Sequence, residues 1–361
     1  MKVALFSPVP YLGDAPAIWP VPAEAYSAEV AMASTQLALE QFQLADELGF
    51  DWVTVAEHHY APLSLTPNPA VLAGALTQRV RRARIALLGP TLPILNPVRV
   101  AEEVAMLDTL SGGRVIAGLL RGTSNEYVTY DVNPAESRER FEEALQLILR
   151  AWTEPQPFGW LGRYYEYRSV SIWPRPVQRP HPPVYISASS PEGGEFAARH
   201  RLGVGFAFTT VPLAAEAVRH YRERAAEAGW EPAEDQVLYR VAAHLAESDE
   251  QALQDLEARG SRPSYSRSNR AIDDASAGAG YYGRDAARQR ARLQRHGLRE
   301  RIGLGQLLAG SPDTVLAQAR AIHEALRPGV LEVVFEAVGR EKTLRAVELF
   351  GTRVLPCLRE L

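Results

Sequence analysis

Two periodicities alternate along the chain. Short runs in which nearly every residue is apolar, at 3–7, 52–56, 84–88, 114–119, 184–187, 203–208, 237–242 and 331–335, predict strands. Between them, at 35–48, 69–80, 98–110, 137–152, 191–200, 213–228, 250–259 and 312–326, apolar residues recur every three or four positions, the spacing of a helix with one buried face. A further helical pattern at 340–355 follows the last run. Strands that are apolar on both faces belong in a parallel sheet covered by helices. Eight such units predict an α/β fold, a single (β/α)8 TIM-barrel domain over 1–361. An open doubly wound sheet would more often place a Gly-rich turn after its first strand, and none is present here.

Three segments interrupt the alternation. Residues 8–32 are rich in Pro and Ala, 155–183 contain GRYYEYRSVSIWPRPVQRPHPPV, and 260–283 read GSRPSYSRSNRAIDDASAGAGYYG. Long insertions in a barrel are lids, binding loops or disordered segments. Two of the three follow a strand, or a short helix after one, which is expected to place them near the C-terminal rim. Residues 260–283 are expected to be a mobile lid.

Composition narrows the class. The 361 residues are 46% apolar and 23% charged with a formal net charge of −4, which offers no general basic surface for nucleic acid. The single cysteine, Cys357, cannot form an internal disulfide, so a reducing compartment is expected. No apolar run reaches the roughly 20 residues of a membrane span. MKVALFSPVPY at the start reads as a first strand rather than a signal peptide, so the expected location is cytoplasmic, with no membrane association.

The strand ends carry the candidate chemistry. The first, Phe6-Ser7-Pro8, lacks the His-x-His pair expected of a metal-dependent barrel hydrolase, and no metal site is expected. The second ends Glu57-His58-His59. Successive side chains of an extended segment point to opposite faces, so the two imidazoles have different tasks. His58 is expected at the rim as a group that titrates near neutral pH; His59 either reaches the pocket with Glu57 or packs behind it. The third end, Leu88-Gly89, is uncharged and lets a flat ligand approach the backbone. The fourth, Leu120-Arg121 before Gly122-Thr123-Ser124, delivers a guanidinium suited to phosphate. The fifth runs through Ser189-Ser190 into Pro191-Glu192-Gly193 at a helix start, where backbone N–H groups bind anions. Arg138 is a further candidate contributor. Missing paired carboxylates argue against a glycosidase. Together these features fit a phosphorylated planar cofactor.

The same residues resemble the luciferase-like, flavin-dependent monooxygenase family, typified by bacterial luciferase. The resemblance covers nearly the whole chain and is densest in GFDWVTVAEHHYAP, LPILNPVRVAEEVAMLDTLSGGRVIAGLLRG, PHPPVYISASSPEGGEFAA and VVFEAVGREKTLRAVELFGTRVLPCL. It implies a two-component monooxygenase using reduced FMN (FMNH2) and O2 to oxygenate a small, largely apolar substrate through a C4a-(hydro)peroxyflavin. NAD(P)H would enter indirectly, through a separate flavin reductase, and the chain would form a homodimer. On the matching positions, His58 is the implied catalytic residue. Arg121, Arg138, Ser189, Ser190 and Gly193 hold the FMN phosphate, and Leu88–Gly89 is a non-prolyl cis peptide beneath the isoalloxazine. Leu120 stands where luciferase has a cysteine, and Ser189 where it has a glutamate. Residues 260–283 match the mobile loop. Glu57, His59, Tyr164 and Trp173 are candidates for the substrate side. Two alternatives stay open: a deazaflavin (F420)-dependent oxidoreductase on the same barrel, and a flavin-binding protein without turnover.

Overall fold

The computed structural model describes residues 1–16, 18–207, 209–259 and 296–361. The eight predicted runs form the eight strands of a closed parallel barrel. In chain order the strands are β1 (Lys2–Phe6), β2 (Trp52–Val55), β3 (Arg84–Thr91), β4 (Val115–Leu120), a separate hairpin of β5 (Phe158–Leu161) and β6 (Glu166–Val170), then β7 (Val184–Ser187), β8 (Gly203–Phe206), β9 (Val237–Leu245), β10 (Leu307–Gly310) and β11 (Val330–Phe335). β1 lies between β2 and β11, and the pairing of β8 with β9 closes the ring. β10 is a ninth strand that pairs along the upper half of β9, from Ala242 to Leu245, which is why β9 runs past its expected end.

Alternation along each strand explains the near-continuous apolar runs. Val3, Leu5, Val53, Val55, Ile85 and Leu87 pack outward against helices. Ala4, Trp52, Ala86, Ile116, Tyr185, Leu238 and Val330 fill the lower interior, where the Trp52 and Tyr185 rings meet edge-on at 5.4 Å, and Leu88, two residues beyond Ala86 on β3, packs on them from the side of the mouth. Both faces are buried, so both are apolar.

The helices begin where small polar residues and proline say they should. They are α1 (Ala28–Leu48), α2 (Pro69–Arg79), α3 (Pro97–Ser111), α4 (Ser124–Thr129), α5 (Ser137–Thr153), α6 (Pro191–His200), α7 (Val211–Glu227), α8 (Asp249–Arg259), α9 (Leu298–Gly303), α10 (Pro312–Leu326) and α11 (Arg340–Leu349). Asn68, Asn96, Ser190 and Ser311 each cap a helix whose first residue is proline. α1 starts earlier than its periodicity suggests. Ser27 Oγ accepts from Val30 N at 3.4 Å, so the loop expected over 8–32 ends at this cap.

Other expectations need correction. Within 155–183, read from sequence as an unstructured insertion, the chain folds into the β5–β6 hairpin. Glu143 of α5 accepts hydrogen bonds from Trp160 Nε1 and the amides of Arg163, Tyr164 and Tyr165 at 3.0–3.1 Å, binding the hairpin to the outside of the barrel. Among the described residues the cis peptide bonds are Trp19–Pro20, Trp173–Pro174 and Arg179–Pro180; the Leu88–Gly89 bond is not cis. β3 instead changes register against β4 between Leu88 and Thr91. The expected lid at 260–283 lies outside the described residues.

The N-terminal end of the barrel is closed by carboxylates. Asp108, with no exposed surface, accepts from the amides of Val177 and Gln178 and from Gln178 Nε2 at 2.7–2.9 Å. Asp46 accepts from the amides of Arg81, Arg82 and Ala83. Among the described residues no helix is long and apolar enough to cross a membrane.

Candidate active site

The chain leaves β2 into Glu57-His58-His59, and a returning segment fixes this exit: Thr66 Oγ1 donates to the Ala56 carbonyl at 2.7 Å, and the His58 amide donates to the Thr66 carbonyl. The extended backbone sends neighbouring side chains in opposite directions, as the sequence implied. His58 keeps 19% of its side chain exposed, with Nδ1 3.1 Å from Glu126 Oε1. Glu57 and His59 are buried behind it. His59 Nε2 lies 3.3 Å from Glu57 Oε1, its ring meets Tyr130 edge-on at 5.0 Å, and its carbonyl accepts from Asn125 Nδ2. Of the two arrangements the sequence left open for Glu57 and His59, the structure shows the packed one, the two side chains buried and bonded to each other behind His58. Burial, then the Glu57 carboxylate, pushes the Tyr130 hydroxyl above its ordinary value.

Sequence reasoning missed Glu126. It lies on α4, the six-residue helix after β4, with 1% exposure. Its Oε2 accepts from the amide and hydroxyl of Thr123, the reciprocal pattern of a capping box. The Thr-x-x-Glu spacing was legible; that the same carboxylate reaches His58 was not. With Nδ1–H donated to Glu126, the lone pair of His58 belongs to Nε2, the arrangement of an oriented base.

Two strands further round, three elements bring the expected anion-binding residues together. Arg121 leaves β4 with its carbonyl held by the Tyr127 hydroxyl and Nη1 3.4 Å from Ser137 Oγ. Arg138, on the first turn of α5, places Nη2 4.0 Å from Glu192 Oε2. Ser190 caps α6 by accepting from the Gly193 amide at 3.2 Å. Ser189 stands just outside the cap, with Oγ 3.4 Å from Ser187 Oγ. Burial pushes the Glu192 carboxyl up, but its own backbone amide, the Ser190 hydroxyl, Arg138 and Arg121 together hold it below its ordinary value. An anion thus already sits among these cations, in a place whose donors suit phosphate.

Leu88 points inward from β3 and is nearly buried, and Leu120, an even number of residues beyond the inward Ile116, ends β4 half-buried. Gly89 has a different reason from the one expected. A Cβ there would stand 1.9 Å from the Gly118 carbonyl oxygen, so the glycine is required by close packing of β3 on β4, not by an opening toward a ligand. Gly122, at φ +84° with Thr91 pressed against it, turns the chain out of β4.

Two aromatic candidates remain. Trp173 is 85% exposed and adjoins Pro174 and Arg175, whose guanidinium caps the Trp152 and Glu154 carbonyls at the C-terminal end of α5, the far end of the barrel from His58. Tyr164 is tied to the first turn of α5, its hydroxyl donating at 2.7 Å to Glu139, the residue after Arg138. Trp173 does not reach the barrel mouth.

The fold recurs in known proteins. The oxygenase component of a flavin-dependent trigonelline monooxygenase from Acinetobacter baylyi is 27% identical over 46% of this chain and 46% of its own, so the match spans about half of that relative's length. A 4-hydroxyprotoasukamycin monooxygenase from Streptomyces nodosus subsp. asukaensis is 28% identical over 88% of this chain and 85% of its own. The crystal structure of the monooxygenase RslO1 from Streptomyces bottropensis superposes with a TM-score of 0.78 at 28% identity, covering 99% of this chain and 100% of that one. An F420-dependent secondary alcohol dehydrogenase shares the fold, with a TM-score of 0.71 at 17% identity over 99% of each chain. The family model for luciferase-like monooxygenases matches residues 18–327, and the chain belongs to that family.

Proposed function

We propose that this protein is the oxygenase of a two-component system that uses reduced FMN and O2 to oxygenate a small, largely apolar organic molecule. The observation that carries this reading is the convergence of Arg121, Arg138 and the first turn of α6 beside a rim where His58 is oriented by Glu126. Bound reduced FMN would supply the electrons that activate O2. Arg121, Arg138, Ser189, Ser190 and the Gly193 amide would hold its phosphate, relieving the 4.0 Å contact of Arg138 with Glu192. His58 would hold or release a proton at Nε2 while Glu126 keeps Nδ1 protonated. Leu88 and Leu120 would exclude water from the mouth.

A separate NAD(P)H-dependent reductase is the expected electron source, since a relative is itself an oxygenase component. Val71 on α2 with Met106 and Leu110 on α3 are exposed apolar side chains on neighbouring helices, the face through which a homodimer would form. Hydride transfer with F420 is the second reading, supported by the shared fold of an F420-dependent enzyme.

Anaerobic fluorescence titration separates the two. Reduced FMN should bind more tightly than F420, and Arg138→Ala should weaken it. Tighter binding of F420, indifferent to Arg138→Ala, would contradict the proposal.

A further inference from the structure

The place proposed for the FMN phosphate holds a carboxylate of the chain itself. Glu192 stands on the first turn of α6, two residues after the cap Ser190. A carboxylate at a helix start is ordinary, since it complements the helix dipole. The same Ser-Pro-acid sequence recurs at Ser311-Pro312-Asp313, where α10 begins. At α6, however, guanidiniums from two other elements come to the carboxylate. Arg138 of α5 places Nη2 4.0 Å from Glu192 Oε2, and the charge of Arg121, at the end of β4, acts on it as well.

The local donors face the same way. Ser190 Oγ accepts from the Gly193 amide at 3.2 Å, which leaves its O–H to donate, and that hydroxyl and the backbone N–H of Glu192 both bond the Glu192 carboxylate. These are the donors and charges that a phosphate monoester recruits. A phosphate dianion placed among them stands beside Glu192, and the like charges repel. Packing does not fix the carboxylate there: 39% of the Glu192 side chain and 33% of Arg138 is exposed, so Glu192 is free to turn out into solvent.

We propose that Glu192 is an internal stand-in for the flavin phosphate. In the flavin-free protein it offsets the charges of Arg121 and Arg138 and occupies the start of α6. On binding, the phosphate displaces it, and the nearby carboxylate limits how tightly the phosphate is held. The grip is thus loose enough for reduced flavin to enter and oxidised flavin to leave at each turnover, as a two-component oxygenase requires. This inference rests on the FMN reading and adds to it the residue that tunes flavin exchange.

Anaerobic fluorescence titration of the full chain with reduced FMN and with reduced riboflavin, which lacks the phosphate, tests it. Glu192→Gln keeps the size of the side chain and removes its charge. It should tighten FMN about fivefold, the scale of one like-charge contact at a partly exposed site, and leave riboflavin unchanged. The gain should shrink at about 1 M salt, where the Debye length is ~3 Å. Glu192→Asp keeps the charge and should stay near the parent. Inorganic phosphate should compete with FMN at lower concentration in Glu192→Gln than in the parent. FMN binding that is unchanged or weaker in Glu192→Gln, or FMN and riboflavin shifted alike, overturns the role of Glu192; a parent that still prefers FMN to riboflavin would leave the phosphate grip standing. Equal binding of FMN and riboflavin by the parent would instead bring down the grip itself, and the inference with it.

Discussion

Asp108 and Glu332 are both carboxylates with no exposed surface, one at the closed end of the barrel and one inside its open half. Asp108 accepts three hydrogen bonds, two from backbone amides and one from Gln178. Glu332 bonds Arg240 through one oxygen and leaves the other without a partner. Such pairs recur. Asp46 is bonded by three consecutive amides below, whereas above it His244 Nδ1 and Thr54 Oγ1 are buried and unpartnered. Asp108 and Asp46 have their acceptors filled, largely by backbone amides, and complete the fold, whereas Glu332, His244 and Thr54 each keep one buried polar atom unpartnered.

Substitutions at the two ends should therefore fail in different ways. The largest expected effect is on turnover: His58→Ala should lower product formation by roughly 10²–10⁴-fold, the range for losing a general acid–base, with thermal stability nearly unchanged. Asp108→Ala should do the opposite. Three donors left without an acceptor cost about 3 kcal/mol, read as a lower thermal midpoint, with catalysis intact in the folded fraction. Arg138→Ala should raise the dissociation constant for FMN by about 10–100-fold, the loss of a charge-assisted hydrogen bond, without moving the midpoint. If Arg138→Ala lowers the midpoint as far as Asp108→Ala does, or leaves FMN binding unchanged, the division between ends collapses.

The smallest effect concerns pH. Burial lowers the His244 imidazole below its ordinary value of 6.5, although Asp255 and Glu336 oppose this. A histidine whose folded value is depressed favours the fold when neutral. Its contribution is present above pH 6.5 and is lost as pH falls through the lowered value. The thermal midpoint should thus drop between about pH 7.5 and pH 5, and His244→Asn should flatten part of that drop. An unchanged profile in the variant would show that other groups set it.

The barrel was legible because burial on both faces leaves the plainest pattern in sequence, a short run with no polar break. What escaped reading were features set by contacts between distant segments. β10 is four apolar residues, too short to stand out, and becomes a strand only against β9. The β5–β6 hairpin depends on Glu143, a helix residue with no mark in the loop's own sequence. In the candidate site, His58, Arg121, Arg138 and the α6 cap could be read because each stands at a strand or helix end. Trp173 was misjudged from aromatic content alone, and position after a helix places it at the closed end. The signal for Arg240 and Glu332 was present: each is the lone charge in an otherwise apolar strand, VLYRVAAHL and VLEVVF, where a charge needs an inward partner.

Rapid mixing of oxygenated buffer with anaerobic protein and reduced FMN tests the central claim most directly. Reoxidation followed by absorbance should differ from that of free flavin in the wild type and change again in His58→Ala. A time course indistinguishable from free flavin, in both proteins and with reduced FMN shown to be bound, would contradict the oxygenase reading.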